Sequence, residues 1–312
     1  MNHTTVKEFI LLGLTDDHRL QVFLFLFLLM TFSLTITGNL VIITITLVDR
    51  RLHTAMYFFI RNFALLEIFF SSTIMPRFLY SLLKGWKAIP FASCLLQNFF
   101  FFFLGTCGFF HVAMMSFDRY MAICYPLQYA TIMNSRACLL LVLGCWVVSF
   151  VMMFPPGVIF AQLPFCGPNV INHFYCDAPP LLQLVCADTR NMELMCIITA
   201  VITLLSTLTV TFVSYSHIIS TILHMPSSTS RKRAFSTCSA HLMVVAILYG
   251  TSIFTYIRPT QRGGQKYDKI TSLSYTVVTQ VFNPYIYSLR NKQVKEALKD
   301  GWNRRFSKMQ LS

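Results

Sequence analysis

Seven long apolar stretches alternate with short polar segments along the 312-residue chain. Each stretch is long enough to cross a hydrocarbon core of about 30 Å as an α-helix. The pattern therefore predicts an all-α membrane protein, a seven-transmembrane helix bundle. The predicted spans cover 22–48, 56–83, 94–123, 137–161, 192–223, 234–257 and 270–289.

The segment after the last span has an amphipathic pattern. Val294, Leu298, Trp302 and Phe306 recur every four residues between basic positions. This spacing favours a short helix on the membrane surface, and a frayed basic tail is the alternative. The chain then divides into an extracellular amino-terminal segment, the bundle, and a cytoplasmic amphipathic helix with its tail, at 1–21, 22–289 and 290–312.

The composition agrees with a chain that lives in membrane lipid. Hydrophobic residues make up 55% of the sequence and charged residues only 12%, which is too apolar for a soluble domain of this length. No basic start followed by an apolar run opens the sequence, so we expect no cleaved signal peptide. The first span is expected to direct insertion.

The basic residues predict the orientation. With the amino terminus outside, 15 of the 25 lysines and arginines fall on the cytoplasmic side, where short loops normally carry them. The net charge of +13 thus mainly reflects the basic residues that orient the chain in the membrane. No nucleic-acid partner is expected. The sequon Asn2-His3-Thr4 would carry a glycan only on an outside terminus, although such triplets also occur by chance.

Three polar side chains lie at matching depths inside predicted spans. Asn39, Glu67 and Asn283 fall in the first, second and seventh spans, and buried ionisable groups in membranes are costly and usually functional. We expect a polar cluster of these three residues, which could take up a sodium ion or a proton. A protonated glutamic acid making one hydrogen bond between helices is the alternative.

The third span ends in Asp118, Arg119 and Tyr120 at its cytoplasmic face. The adjacent carboxylate and guanidinium can pair in a resting state, and breaking that pair would free the arginine for a partner. A charge pair that only anchors the helix is the alternative.

The seventh span contains a second candidate for a movable element. Pro284 follows Asn283, removes a backbone donor and loosens the helix. Tyr287 lies one turn further on, and Tyr215 lies near the inner end of the fifth span. Both tyrosines could equally be interfacial residues.

Five segments together resemble the vertebrate olfactory receptors, a branch of the rhodopsin-like G-protein-coupled receptors. They are GNLVI from Gly38, LHTAMYFF from Leu52, MSFDRYMAIC from Met115, RAFSTCSAHL from Arg233 and NPYIYSLRN from Asn283. The resemblance covers essentially the whole chain. It departs from the family pattern at Ala55, Phe117, Glu67 and Arg233, where the family usually has proline, tyrosine, aspartate and lysine.

The resemblance implies a rhodopsin-like bundle that binds a small volatile odorant. It also implies coupling to a heterotrimeric stimulatory G protein of the olfactory type, which raises cyclic AMP. The alternative is a rhodopsin-like chemosensory receptor that acts outside the olfactory epithelium.

In similar receptors a cysteine at the top of the third span is tied to the long second outer loop. The resemblance therefore implies a disulfide between Cys94 and Cys176, leaving Cys166 with Cys186 as a local pair. Four cysteines allow three pairings, and Cys94 with Cys186 is the alternative.

The odorant is expected in a largely apolar concavity within the outer half of the bundle. The outer half of the third span contains no carboxylate, so an amine agonist would lack its counter-ion. A neutral or weakly polar ligand is expected. By position the candidate lining residues are Phe101, Phe102, Gly105, Thr106, Ser206, Thr251, Tyr256 and Thr276, each of which could also be ordinary packing.

Other classes of membrane protein fit the sequence less well. A transporter or channel would show internal repeats or rings of charge, and the sequence has neither pattern. An enzyme would need paired histidines and carboxylates at ligand spacing, whereas His111, His217 and His241 are isolated along the chain. We therefore expect no enzymatic activity, no cofactor and no metal site.

Overall fold

The computed structural model describes residues 6–166, 168–256, 269, 271–273, 276–277, 281–283, 285–286 and 294–300. Long helices dominate, as predicted. The helices are α1 (His18–Val48), α2 (Ala55–Lys84), α3 (Phe91–Cys124), α4 (Pro126–Ile132), α5 (Ser135–Ala161), α6 (Ala178–Leu182), α7 (Arg190–Leu223) and α8 (Ser228–Tyr256).

Five of these helices are long and apolar enough to cross a membrane, namely α1, α2, α3, α5 and α7. Helix α8 carries a shorter apolar stretch, His241–Ser252. Half of the seventh predicted span, 270–289, lies outside the described residues, and the residues described within it are helical. The expected all-α membrane fold is confirmed.

Polar side chains cap the first turns of two long helices, α1 and α5. The Asp17 carboxylate accepts hydrogen bonds from the backbone N–H groups of Arg19 and Leu20 and so starts α1 at His18. Asn134 starts α5 in the same way, by accepting from the Ala137 N–H at 3.0 Å. These caps satisfy donors that the first turn leaves unpaired.

Helix α3 lies at the centre of the bundle. Its most apolar stretch is 72% buried, against 17% for α1, α5 and α7. It packs against α2, α5 and α7. The α3–α5 contact is close at Gly157, where an added Cβ would lie 2.8 Å from a ring carbon of Phe99. A side chain at this position would push the helices apart.

A small β-sheet covers one end of the bundle. Strand β1 (Glu8–Leu11) pairs antiparallel with β2 (Ala88–Pro90) and parallel with β3 (Val170–Ile171), in the order β2-β1-β3. Phe9 and Leu11 of β1 are buried at 0% and 2% exposure. The amino-terminal segment is therefore a packed element of the cap, which the sequence pattern had not predicted.

At the opposite end, residues 294–300 are helical. Val294 and Ala297 are buried, and Leu298 is exposed at 36%. Arg51 bonds both Asp49 and Asp300, at 2.7 and 2.8 Å. Trp302 and Phe306, the rest of the predicted amphipathic stripe, lie outside the described residues.

Candidate functional site

The three intramembrane polar residues meet in the interior. Asn39, Glu67 and Asn283 are exposed at only 1%, 6% and 3%. The Asn283 amide donates a hydrogen bond to the Glu67 carboxyl, and Asn39 lies within interaction range of the same carboxyl. Helices α1 and α2 and the seventh span are thereby joined through one acidic group.

Two amide oxygens of this cluster accept no hydrogen bond from the described residues. Asn39 Oδ1 and Asn283 Oδ1 are buried and have no hydrogen-bond partner among the described residues. A buried carboxyl beside unpaired amide oxygens is short of donors. A proton on the carboxyl would supply a donor, and a small cation would instead be coordinated by these oxygens. Among the described residues, no group of three or more histidine, cysteine or acidic side chains is arranged as a metal site.

The carboxy-terminal end of α3 carries a buried charge pair. Arg119 Nε lies 2.9 Å from Asp118 Oδ2, and the two side chains are exposed at 12% and 2%. The Tyr129 hydroxyl, from α4, donates to the other carboxylate oxygen of Asp118 at 2.7 Å. Tyr129 thus links α4 to the charge pair, and sequence reasoning missed it.

A second polar pair joins α7 to α8 near the same end. The Tyr215 hydroxyl lies 2.7 Å from His241 Nδ1, and both side chains are buried. His241 looks isolated along the sequence, but the fold gives it this partner. Tyr120 lies apart from the pair, with its hydroxyl 3.4 Å from that of Tyr125 and its ring 5.5 Å from the ring of His217. Pro284 and Tyr287 lie outside the described residues.

Two disulfides hold the long outer loop. Cys94 is bonded to Cys176 with a Cα–Cα distance of 5.5 Å, and Cys166 is bonded to Cys186 with 5.9 Å. The alternative pairing of Cys94 with Cys186 does not occur. Asn2, the candidate glycosylation site, lies outside the described residues.

The outer loop inserts its aromatic residues into the bundle. His173, Phe174 and Tyr175 are exposed at 3% or less. The ring centroids of Phe174 and Phe78 lie 4.7 Å apart, and those of Tyr175 and Phe101 lie 5.0 Å apart. His173, Phe174 and Tyr175 therefore form an aromatic roof over α2 and α3, next to Phe78 and Phe101.

Two amides of α3 fix this roof in place. The Gln97 Oε1 accepts from the Cys176 N–H at 3.1 Å, and Asn98 Nδ2 donates to the Cys176 carbonyl at 3.0 Å. Gln97 also donates to the Thr73 carbonyl on α2. Side-chain amides thus hold the loop backbone at the disulfide, where water is excluded.

Only some of the residues predicted to line the odorant pocket lie close together in the structure. Phe101 and Thr106 are buried, and Phe102 packs edge-on against Phe101 at 5.3 Å. Gly105 faces Phe70, which an added Cβ would approach to 3.7 Å. These four α3 residues lie beneath the roof.

Two of the remaining candidate pocket residues, Thr276 and Thr251, bond the backbone of their own helices. Thr276 is fully buried and donates to the Ser272 carbonyl at 2.7 Å, and Thr251 is half-buried and donates to the Ile247 carbonyl at 2.6 Å. The side chain of Tyr256 lies outside the described residues.

Ser206 was placed wrongly in the predicted pocket. It lies on the exposed face of α7, whereas Thr203, Thr207 and Thr211 are buried. The inward face of α7 follows this four-residue spacing, and Ser206 falls outside it.

These features define a multi-pass helical membrane protein with a buried acidic cluster and a closed charge pair at one end of its central helix. A family model described as olfactory receptor matches residues 27–303. Olfactory receptor 6E1 of Mus musculus is 53% identical over 300 residues, which cover 96% of each chain.

Two human proteins are similarly close. Olfactory receptor 6C76 is 52% identical over 96% of each chain, and olfactory receptor 6C4 is 51% identical over 96% of this chain and 97% of its own. The chain belongs to the olfactory receptor family. It is an odorant-sensing G-protein-coupled receptor and not an enzyme, and the resemblance inferred from its motifs is confirmed.

Proposed function

We propose that the receptor binds a small, neutral volatile odorant beneath the aromatic roof and responds by activating a stimulatory G protein, which raises cyclic AMP. The observation that carries this proposal is the closed Asp118–Arg119 pair, held by Tyr129 at the inner end of α3. The same helix contributes Phe101 and Thr106 to the proposed binding region. One rigid element thus connects the two sites.

The ligand class follows from the chemistry of that region. Helix α3 from Phe91 to Thr106 contains no acidic residue, and the roof contributes Phe174 and Tyr175. An ammonium group buried here would have no carboxylate partner from α3 or the roof, at a cost of several kcal/mol. Apolar contact with one or two hydrogen bonds to hydroxyls such as that of Thr106 is the expected binding mode.

In this proposal the closed pair is the resting state. A ligand that binds more tightly to a second arrangement of the helices shifts the equilibrium toward it. Opening of the Asp118–Arg119 pair then exposes the guanidinium to the G protein. The Tyr215–His241 bond between α7 and α8 is a second contact that must change when those helices separate.

The proposed orientation places the amino terminus outside. The β-sheet cap and both disulfides lie at one end of the bundle, and disulfides persist in an oxidising, extracytoplasmic compartment. The Asp118–Arg119 pair then faces the cytoplasm, where the G protein is. Use of the same receptor outside the olfactory epithelium would leave this mechanism unchanged.

The test is cyclic AMP production in cells that express the chain with an olfactory-type G protein and receive a panel of neutral volatiles and volatile amines. A dose-dependent rise is expected for neutral compounds, and Arg119→Ala should abolish it at equal surface level. A response confined to amines, or an undiminished response of Arg119→Ala, contradicts the proposal.

A further inference from the structure

A cavity of about 410 Å³ opens between α2, β2 and the first half of α3. Its apolar wall includes Leu96 and Phe100, which are exposed at 57% and 44%. Phe101 and Thr106 are buried on another face of the same helix. The cavity therefore faces the surrounding membrane and is distinct from the proposed odorant site.

Arg77 provides a fixed positive charge in the wall of this cavity. Its Nη2 donates to the carbonyls of Trp86 and Ala88, and its guanidinium lies 5.7 Å from the centre of the Tyr80 ring. Guanidinium has five N–H donors, and these carbonyl bonds use one nitrogen. No ion pair among the described residues includes Arg77.

The depth of Arg77 matches the polar boundary of a leaflet. It lies seven residues before the end of α2 at Lys84, which is roughly 10 Å along the axis. Leu96 and Phe100 continue along α3 toward the membrane centre. An arginine at such a depth normally extends toward lipid phosphates.

We propose that this cavity binds one phospholipid of the adjacent leaflet. The phosphate accepts hydrogen bonds from the unused guanidinium nitrogens of Arg77 and from the Ser93 hydroxyl, and one acyl chain lies against Leu96 and Phe100. Planar guanidinium and phosphate match in charge and geometry. The carbonyl bonds of Trp86 and Ala88 orient the arginine before the lipid arrives.

The experiment measures lipid binding to the purified full-length receptor by native mass spectrometry, with dioleoylphosphatidylcholine as the probe. Arg77→Gln removes the charge, and Ser93→Trp fills the cavity while leaving Arg77 in place. Each should weaken the tightest lipid-binding event about tenfold, or ~1.4 kcal/mol. Lys84→Gln, which removes an exposed cation at the same end of α2, should leave it unchanged.

Two further probes distinguish binding through the phosphate from binding through the acyl chains. Dioleoylglycerol has the chains without the phosphate, and glycerophosphocholine has the phosphate without the chains. Neither should displace the bound phospholipid at equal concentration. Wild-type affinity in both Arg77→Gln and Ser93→Trp overturns the proposal. Displacement by dioleoylglycerol would show that the site binds acyl chains alone. Displacement by glycerophosphocholine would show that it binds a phosphate group without acyl chains. Either result also overturns the proposal.

Discussion

The hydroxyl of Tyr129 is expected to hold the receptor in its resting state. It donates a 2.7 Å hydrogen bond to the buried Asp118 carboxylate, which is also bonded to Arg119. Burial, together with the negative charge of Asp118, raises the pKa of Tyr129, so the hydroxyl keeps its proton and remains a donor at neutral pH. Tyr129→Phe removes only this donor.

A hydrogen bond to a charged group contributes about 1.5 to 3 kcal/mol. We use the lower end because Tyr129 is half-buried, so water replaces part of the lost bond. If the bond exists only in the resting state, its loss shifts the equilibrium about tenfold toward the active state. A receptor that is roughly 1% active without ligand would become about 10% active.

The assay is cyclic AMP without odorant, normalised to the receptor on the cell surface. Tyr129→Phe should raise basal signalling several-fold. Tyr125→Phe is the matched control, since Tyr125 is 44% exposed and its hydroxyl contacts only that of Tyr120 among the described residues. Basal signalling equal to that of the control would refute a resting-state role for the Tyr129 bond.

The outer cap gives three further predictions. Phe9→Ala should destabilise the cap by about 3 to 5 kcal/mol and lower surface delivery, measured by flow cytometry against Leu12→Ala, whose side chain is 37% exposed. Cys94→Ser should lower surface delivery much more than Cys196→Ser, because Cys196 is a free cysteine. Burial, helped by a nearby lysine, lowers the pKa of His173 from 6.5 to about 3. The unfolded chain therefore binds more protons between these values, and stability falls as pH drops below 6.5, by up to ~1.4 kcal/mol per pH unit. Thermal unfolding of purified protein from pH 7 to 5 should show a smaller loss for His173→Gln, and an equal loss would contradict this assignment.

The sequence predicts the spans well because lipid demands long apolar helices. The apolar runs coincide with α1, α2, α3, α5 and α7, and only the helix ends differ. At α1 and α5 a polar cap begins the helix before the apolar run does. The Asp118–Arg119 contact was also predictable because its partners are adjacent. Contacts between distant segments, such as Tyr129 with Asp118 or Tyr215 with His241, depend on how α4 and α8 pack, which no local pattern specifies.

The inward face of α7 is hard to predict from the sequence for a physical reason. Apolar and threonine residues surround this helix on every side, so hydrophobicity does not distinguish its inner face from its lipid face. Ser206 was chosen by depth alone. Threonines at four-residue spacing, Thr203, Thr207 and Thr211, were the available signal for the buried face.

The short β1 strand was missed because it is too brief for a strong periodic pattern. Phe9 and Leu11 alternate with less buried residues, as a half-buried strand requires, but an alternation this short is common by chance. Its partners β2 and β3 lie in separate loops. The strand therefore becomes apparent only when the bundle brings those loops together.

The position of β1 at the centre of its sheet has a consequence for biosynthesis. Leu11 pairs with Ile171, and the Asn169 side chain bonds the Glu8 carbonyl across 161 residues of sequence. Strand β1 is therefore synthesised well before its partner β3, and the sheet can form only after β3 has been made. Until then Phe9 and Leu11 have no sheet to pack in, and exposed apolar residues of an unpaired strand favour aggregation.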